Sequence, residues 1–297
     1  MKILFVIDSL GGGGAERSTE VLCDYLYEKN VRFKVVCLYY FPHGYHEKMR
    51  NKGYDIQFLE KKSFYGQTKE IAKIIRTGNY DIVHSILFKS NIRTRFAKLF
   101  VKFYHLESLV NTTYSKERFL DKNVNANILK FYKQLDKITA KQFVNHFHSI
   151  TNAVKKHYVK ELNLDTKKIS IVYRGRKPLR IDQSHKTQSS FTLLNVARQD
   201  YQKGQIFLLH AIDRLVQKGV RDIQLIILGV EGRVTGNLKS YVKERSLESY
   251  VNFAGFSNNV SEYYSIADVF VFSSLFEGLG GALIEAQSAG LPIIAND

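Results

Sequence analysis

Short apolar runs alternate with amphipathic helical patterns along almost the entire chain, and that alternation restricts the fold more than any other feature. The run "KILFVI" has the continuous hydrophobicity of a strand buried on both faces; "GGGGAER" is a glycine turn, "STEVLCDYLYEKN" has helical periodicity, and "FKVVCLYY" is the next strand. The same order returns in "TKEIAKIIRTGNY" followed by "DIVHSIL", and later in "HFHSIT" and "KISIVYRG". Strands separated by helices rather than by hairpin turns pair in parallel, and such a sheet is covered on both faces. Near "PLRIDQSHKTQSS" the composition turns polar, after which the rhythm restarts with "FTLLNVARQD", "IFLLHAIDRLVQKG", "IQLIILG", "VNFAGF" and "ADVFVFSS". The expected architecture is α/β, with two doubly wound Rossmann-like domains at residues 1–178 and 191–297 and a linker at 179–190. A chain of 297 residues, 44% hydrophobic, has enough apolar material for both cores.

Only two cysteines occur, Cys23 and Cys37, and their spacing is not that of a metal site, which points to a reducing compartment. The opening "MKILFVID" is too short for the apolar core of a secretory signal, and no window approaches a membrane span, so a cytoplasmic protein is expected. The net charge of +16 is unevenly placed: residues 1–180 carry 34 Lys and Arg against 16 Asp and Glu, whereas residues 181–297 carry 10 against 12. Within the basic part, "FKSNIRTRFAKLFVKFYHLE" and "ILKFYKQLDKITAKQF" interleave cations with aromatic and aliphatic side chains. Anionic lipid, nucleic acid, an acidic substrate or a merely solvated face would each account for the bias. No helix-turn-helix, zinc-finger or RNA-recognition signature is present, so nucleic acid is not an expected partner. The preferred expectation is an anionic membrane surface, with the protein peripheral on the inner face of the plasma membrane.

The chain closes on "SSLFEGLGGALIEAQSAGLPIIAND". "GALIEAQSAG" reads as a short helix from about Gly281 to Ala289, with Gly290 in the left-handed position after it and Pro292 beyond. Gly278, Gly280 and Gly281 then stand at its N-terminus, where free backbone N–H groups and the helix dipole favour an anion and missing side chains allow close approach. Glu277 precedes the helix and Glu285 lies within it, eight residues on; carboxylates accept paired hydrogen bonds from sugar diols. Solvated glutamates beside a plain glycine loop are the alternative reading. Arg198 and Lys203, across a turn after the first strand of the second domain, are placed to meet a diphosphate, Arg as a planar fork and Lys as a point charge. Gly11 to Gly14, after the first strand of the chain, are compatible with dinucleotide binding or a simple turn. In doubly wound sheets ligands bind beyond the C-terminal strand ends, so these features define one pocket for a nucleotide diphosphate bearing a hydroxyl-rich group.

These segments carry a family resemblance. With "GGGGAER", "DIVHS", "ISIVYRG", "NVARQDYQKG", "VNFAGF", "YYSIADVFVFSS" and the Glu-x7-Glu motif "EGLGGALIE" followed by "AQSAGLPIIAND", the chain resembles retaining family 4 glycosyltransferases of the GT-B fold over almost its whole length. The resemblance implies that Arg198 and Lys203 hold the donor diphosphate and stabilise the leaving group. It implies that Glu285 binds ribose hydroxyls and that Glu277, with Gly278, Leu279, Gly280 and Gly281, contacts the transferred sugar and distal phosphate. Gly229 would pack under the nucleotide base, although "GVEGR" departs from the usual Gly-Asp-Gly-Pro-like turn; Gly12, Gly13 and Gly14 would face the diphosphate and acceptor. His84 is an acceptor-side candidate, as are Thr113 and Tyr114, which stand where many members have a histidine. No Asp-x-Asp and no His/Cys cluster occurs, so no metal or other cofactor is expected. The implied reaction moves a sugar, with retention, from a nucleotide-sugar donor to a glycan or lipid-linked acceptor in cell-surface polysaccharide or glycolipid synthesis.

The family's further βα units and returning C-terminal helix are absent after "LPIIAND", so the second domain is expected to be incomplete. The alternative function is a truncated, inactive glycosyltransferase-like protein serving in binding or membrane recruitment; retention of Arg198, Lys203, Glu277 and Glu285 favours the enzyme. An NAD-dependent oxidoreductase would show G-x-G-x-x-G/A followed by an acid about 20 residues on, which is missing. A polyanion-binding module would lose affinity steeply with salt and ignore nucleotide sugars.

Overall fold

The computed structural model describes residues 1–297 apart from 43, 177, 180, 182–189, 258 and 297, so most of the expected linker at 179–190 lies outside the described residues, as does Asp297. The chain divides into two units, Met1–Ser115 with Asn125–Gly175, and Lys116–Val124 with Arg176–Asp297.

Among the described residues the first unit contains seven strands, β1 (Lys2–Ile7), β2 (Arg32–Cys37), β3 (Ile56–Phe58), β4 (Ile82–Ile86), β5 (His105–Leu109), β6 (His146–Ser149) and β7 (Ile169–Ile171). They form one parallel sheet in the order β3-β2-β1-β4-β5-β6-β7, with Ile7 opposite Cys37 on one side and Ile86 on the other. The sheet grows outward from β1 in both directions, and β1 is covered on both faces: Leu4, Phe5, Val6 and Ile7 are all buried. Phe5 and Ile7 join a core containing Leu10, Cys23, Leu26 and Met49, while Leu4 and Val6 join one containing Val36, Ile71 and Ile75. Two-sided burial is why the run is continuously apolar instead of alternating.

Helices α1 (Gly14–Glu28), α2 (His46–Asn51), α3 (Phe64–Gly78) and α4 (Phe88–Ala97) connect the first five strands, and α6 (Ala126–Phe143) and α7 (Asn152–Leu162) lead to β6 and β7; the short α5 (Lys116–Phe119) lies in the segment grouped with the second unit. Side-chain oxygens of Ser63, Asn125 and Thr151 accept from first-turn N–H groups of α3, α6 and α7, and Asn79 and Asn163 end α3 and α7 in the left-handed conformation. Helix α1 begins inside the glycine run, earlier than its apolar pattern suggests, because Gly13 is extended and Glu16 supplies an acid to the first turn.

The basic stretch at 88–104 differs from its sequence expectation. Arg93 is buried with its Nε 2.6 Å from Gln67 Oε1, and Arg95 is 1% exposed. The Arg95 guanidinium forks onto Glu107 and reaches Asp136 Oδ1 at 2.6 Å and Thr139 Oγ1 at 2.9 Å. Arg93 thus holds α4 to α3, and Arg95 holds it to β5 and α6; neither forms part of a cationic surface. Helix α6 does: besides buried Leu129, Asp136 and Ala140 it carries exposed Ile128, Phe131, Tyr132 and Ile138, and Lys130 and Lys141 are exposed on it as well.

The second unit contains β8 (Phe191–Val196), β9 (Ile223–Leu228), β10 (Val251–Gly255), β11 (Val269–Phe272) and β12 (Ile293–Ala295), with helices α8 (Gln205–Gln217), α9 (Thr235–Glu244), α10 (Val260–Ile266) and α11 (Gly281–Ser288). Its parallel sheet has the order β10-β9-β8-β11-β12. Each face has its own core, one around Leu209, Leu225, Ile227 and Leu238, the other around Leu194, Ile226, Tyr264 and Phe270. Both units are thus doubly wound α/β, as expected.

Candidate functional site

Strand β8 is where the order of the second sheet reverses, with β9 on one side and β11 on the other. Connections from the C-terminal ends of such strands diverge to opposite faces and leave a crevice between them. Three loops meet there, residues 197–204 after β8, 229–234 after β9 and 273–280 after β11.

The first and third loops are latched together. Leu275 N–H donates to Gln202 O at 2.8 Å, the Gln202 amide to Phe276 O at 2.7 Å, and the Ser273 hydroxyl to Lys203 O at 2.8 Å. Gly204 makes the approach possible: its φ is +62°, and a Cβ there would stand 2.1 Å from Ser273 O. The latch sets Lys203 Nζ on Glu277 Oε1, which also accepts from the Ser274 hydroxyl at 3.0 Å. Two residues 74 positions apart, both half-buried, therefore share one place at the strand ends.

Arg198 lies in the same loop with its side chain 58% exposed, its Nε paired with Asp200 Oδ2. The Asp200 carboxylate is held from the other side by the Arg233 backbone N–H at 3.2 Å and guanidinium at 3.6 Å. Burial alone would raise this carboxyl, but Arg198 and Arg233 outweigh burial and keep it below the usual carboxylate range. The β8 and β9 loops touch backbone to backbone. A Cβ on Gly229, whose φ is +143°, would stand 2.3 Å from Ala197 O, and one on Gly232 would stand 2.3 Å from Gln199 O. Arg233 also lies 3.7 Å from buried Asp121. The "GVEGR" turn thus brings in one more cation, which its sequence gave no reason to place beside Arg198.

Helix α11 begins at Gly281, after Gly280 in the left-handed conformation at φ +71°. Gly278 and Gly280 are buried, and Leu279 is half-buried. Glu285, in the second turn of α11, is 2% exposed. Its Oε1 lies 3.3 Å from Arg176 Nε and its Oε2 lies 3.5 Å from the hydroxyl of fully buried Tyr264, which donates to Ala282 O at 3.0 Å. Arg176 is itself 5% exposed in its side chain, and its guanidinium covers the first turn of the helix, where a Cβ on Gly281 would stand 2.5 Å from a terminal nitrogen. Sequence reasoning did not select Arg176, Asp200 or Arg233; the only local signal was the cationic "YRGR" after the last strand of the first domain.

The candidates in the first unit are placed differently. Gly13 is the N-terminal flank of α1, between Gly12 and Gly14, and the Glu16 carboxylate lies over it, 2.3 Å from where a Cβ would stand. Tyr114 is 3% exposed and donates to Asp136 Oδ2 at 2.6 Å, while the Thr113 hydroxyl is 2.9 Å from the Tyr158 hydroxyl. His84 is 5% exposed and sits inside β4, not at its end. His148 Nε2 donates to the Val172 carbonyl at 2.9 Å, which leaves Nδ1 to accept from Ser108 at 3.1 Å; the Ser108 oxygen in turn accepts from His84 Nε2 at 2.7 Å. The chain runs through neutral imidazoles.

Residues 12–178 match the family profile "Glycosyltransferase Family 4", and residues 177–297 match "Glycosyl transferases group 1". The chain is 30% identical over 254 residues to an uncharacterized glycosyltransferase, MJ1059, of Methanocaldococcus jannaschii, covering 78% of this chain and 59% of the relative. It is 25% identical over 237 residues to the UDP-Gal:alpha-D-GlcNAc-diphosphoundecaprenol alpha-1,3-galactosyltransferase of Escherichia coli, covering 76% of this chain and 60% of that protein. The chain therefore spans about three fifths of the length of these two curated relatives. Anabaena Alr3699/HepE, solved in complex with UDP and glucose, has the same fold, with a TM-score of 0.81 at 18% identity over 99% of this chain and 80% of that one.

Proposed function

The chain belongs to glycosyltransferase family 4, and on that premise we propose that it moves a sugar, with retention of anomeric configuration, from a nucleotide-diphosphate donor to a glycan or lipid-linked acceptor. The reading is carried by the Lys203–Glu277 pair at the strand ends of the second unit, with Arg198 in the same loop as Lys203. Breaking a sugar–phosphate bond leaves negative charge on the departing diphosphate, and fixed cations together with the N–H groups of α11 stabilise that charge without reorganising. Arg198 and Lys203 serve this role; Glu277 accepts from the transferred sugar, and Glu285 from the ribose. The donor phosphate takes the acceptor's proton on the same face, so no separate base is required.

A lipid-linked acceptor suits the similarity to an enzyme named for a diphosphoundecaprenol substrate. It also suits the exposed apolar and cationic face of α6, which has the composition of a surface that lies on anionic lipid. No helix among the described residues is long and apolar enough to cross a membrane.

Isothermal titration with ADP, CDP, GDP and UDP tests the donor site, with release of the best-bound diphosphate from its sugar conjugates testing transfer. Arg198→Ala is expected to weaken that diphosphate by about 1.5–3 kcal/mol through loss of charge-assisted hydrogen bonds. Unchanged affinity in a folded variant would remove Arg198 from the site, and proton NMR of the product anomer decides retention.

A further inference from the structure

The pairing of Arg176 with Glu285 reverses the usual electrostatics of a helix start. The first turn of α11 carries the positive end of the helix dipole, which favours an anion. A guanidinium lies there instead, within contact of Gly281, and both it and the glutamate one turn along are almost wholly buried. A buried cation against a positive helix end is held by its acidic partner, here Glu285 Oε1 at 3.3 Å. That partner is the carboxylate read above as the acceptor for ribose hydroxyls, and at 2% exposure it is not open to them while Arg176 covers it.

We propose that Arg176 is a third cation for the donor diphosphate and that donor binding proceeds by an exchange of partners. The inference rests on the nucleotide-diphosphate reading of the site. Ribose hydroxyls take the Glu285 carboxylate in place of the guanidinium. The released Arg176 fork, already at the first turn of α11, then meets the diphosphate between itself and the helix N–H groups. Every charge ends with a better partner: the anion faces both a cation and the positive helix end, and the carboxylate keeps hydrogen-bond donors. Arg176 thereby couples the two halves of the donor, because the phosphates draw away the group that covers the ribose acceptor.

This coupling has a signature that a structural role lacks. Removing Arg176 uncovers Glu285 for a bare nucleoside and at the same time deletes a phosphate contact. The ratio of nucleoside to nucleoside-diphosphate dissociation constants therefore falls, whereas a role in folding or packing weakens both ligands in proportion. The experiment titrates wild type, Arg176→Ala and Arg176→Gln with whichever of ADP, CDP, GDP or UDP binds best and with its matching nucleoside, after thermal melting has shown which variants are folded. The expected result is a fall in the ratio of about tenfold or more in either neutral variant, the size of one charge-assisted contact. An unchanged ratio in a folded variant overturns the exchange and leaves the donor reading standing. Failure of wild type to bind any of the four diphosphates overturns the donor reading itself, and the exchange with it.

Discussion

Replacing Gly204 with alanine tests the geometry on which the candidate site depends. Two effects add. The residue stands at φ +62°, where a Cβ costs about 1–2 kcal/mol in conformational strain. The new methyl would also begin 2.1 Å from the Ser273 carbonyl oxygen, so the loop after β11 must retreat by more than about 1 Å to reach ordinary contact. That retreat breaks into the latch formed by Leu275 N–H, the Gln202 amide and the Ser273 hydroxyl, each bond contributing about 1 kcal/mol net. The expected loss is about 4–5 kcal/mol of stability, with Lys203 and Glu277 pulled apart. Gly219 supplies the control: its φ is +89°, but nothing lies within 4 Å of a built Cβ, so Gly219→Ala carries only the conformational part, about 1–2 kcal/mol. Urea unfolding followed by circular dichroism measures both variants, and titration with the best-bound nucleoside diphosphate measures the site. Equal destabilisation of the two, or normal nucleotide affinity in Gly204→Ala, would refute the argument that this glycine sets the Lys203–Glu277 pair.

Acid should destabilise the first unit through its buried histidines. Burial, then the charges of His148 and Arg174, push His84 down to about 3; burial also lowers His105, well below its usual value, and His148. Since these imidazoles stay neutral when folded and protonate when unfolded, their contribution is complete above about pH 6.5 and is lost as pH falls below it, each at up to about 1.4 kcal/mol per pH unit. Melting temperature measured from pH 7.5 to 4.5 should drop accordingly, with a shallower slope in His84→Asn; a flat profile contradicts the neutral-imidazole chain. Membrane docking through α6 predicts co-sedimentation with anionic vesicles that weakens with salt, each surface lysine adding about 1 kcal/mol, and that Phe131→Asp abolishes. Equal binding to neutral vesicles, or full binding by Phe131→Asp, would remove α6 from that role.

Local sequence determined which segments became strands and which became helices. The apolar runs from "KILFVI" to "ADVFVFSS" are strands, because each had to be compatible with burial on two faces, a property written in consecutive residues. The helix at Gly281 was equally legible, since glycine before it and Gly290 and Pro292 after it act on their own backbone. Partnership was not legible. The interleaved arginines of 88–104 have the composition of a surface, yet Arg95 is enclosed because Glu107 on β5 and Asp136 on α6 neutralise it, and neither is close to it in sequence. Glu285 was readable as an acid beside a glycine loop, but the residue that covers it is 109 positions earlier, in a segment with no helical or strand pattern. His84 was readable only as an acceptor-side candidate; the fold buries it inside its strand, tied to Ser108 and His148 across the sheet. Propensity and periodicity act over a few residues and survive in the sequence, whereas the pairing of buried charges is fixed by which strand ends the sheet order brings together, and only the folded chain carries that information.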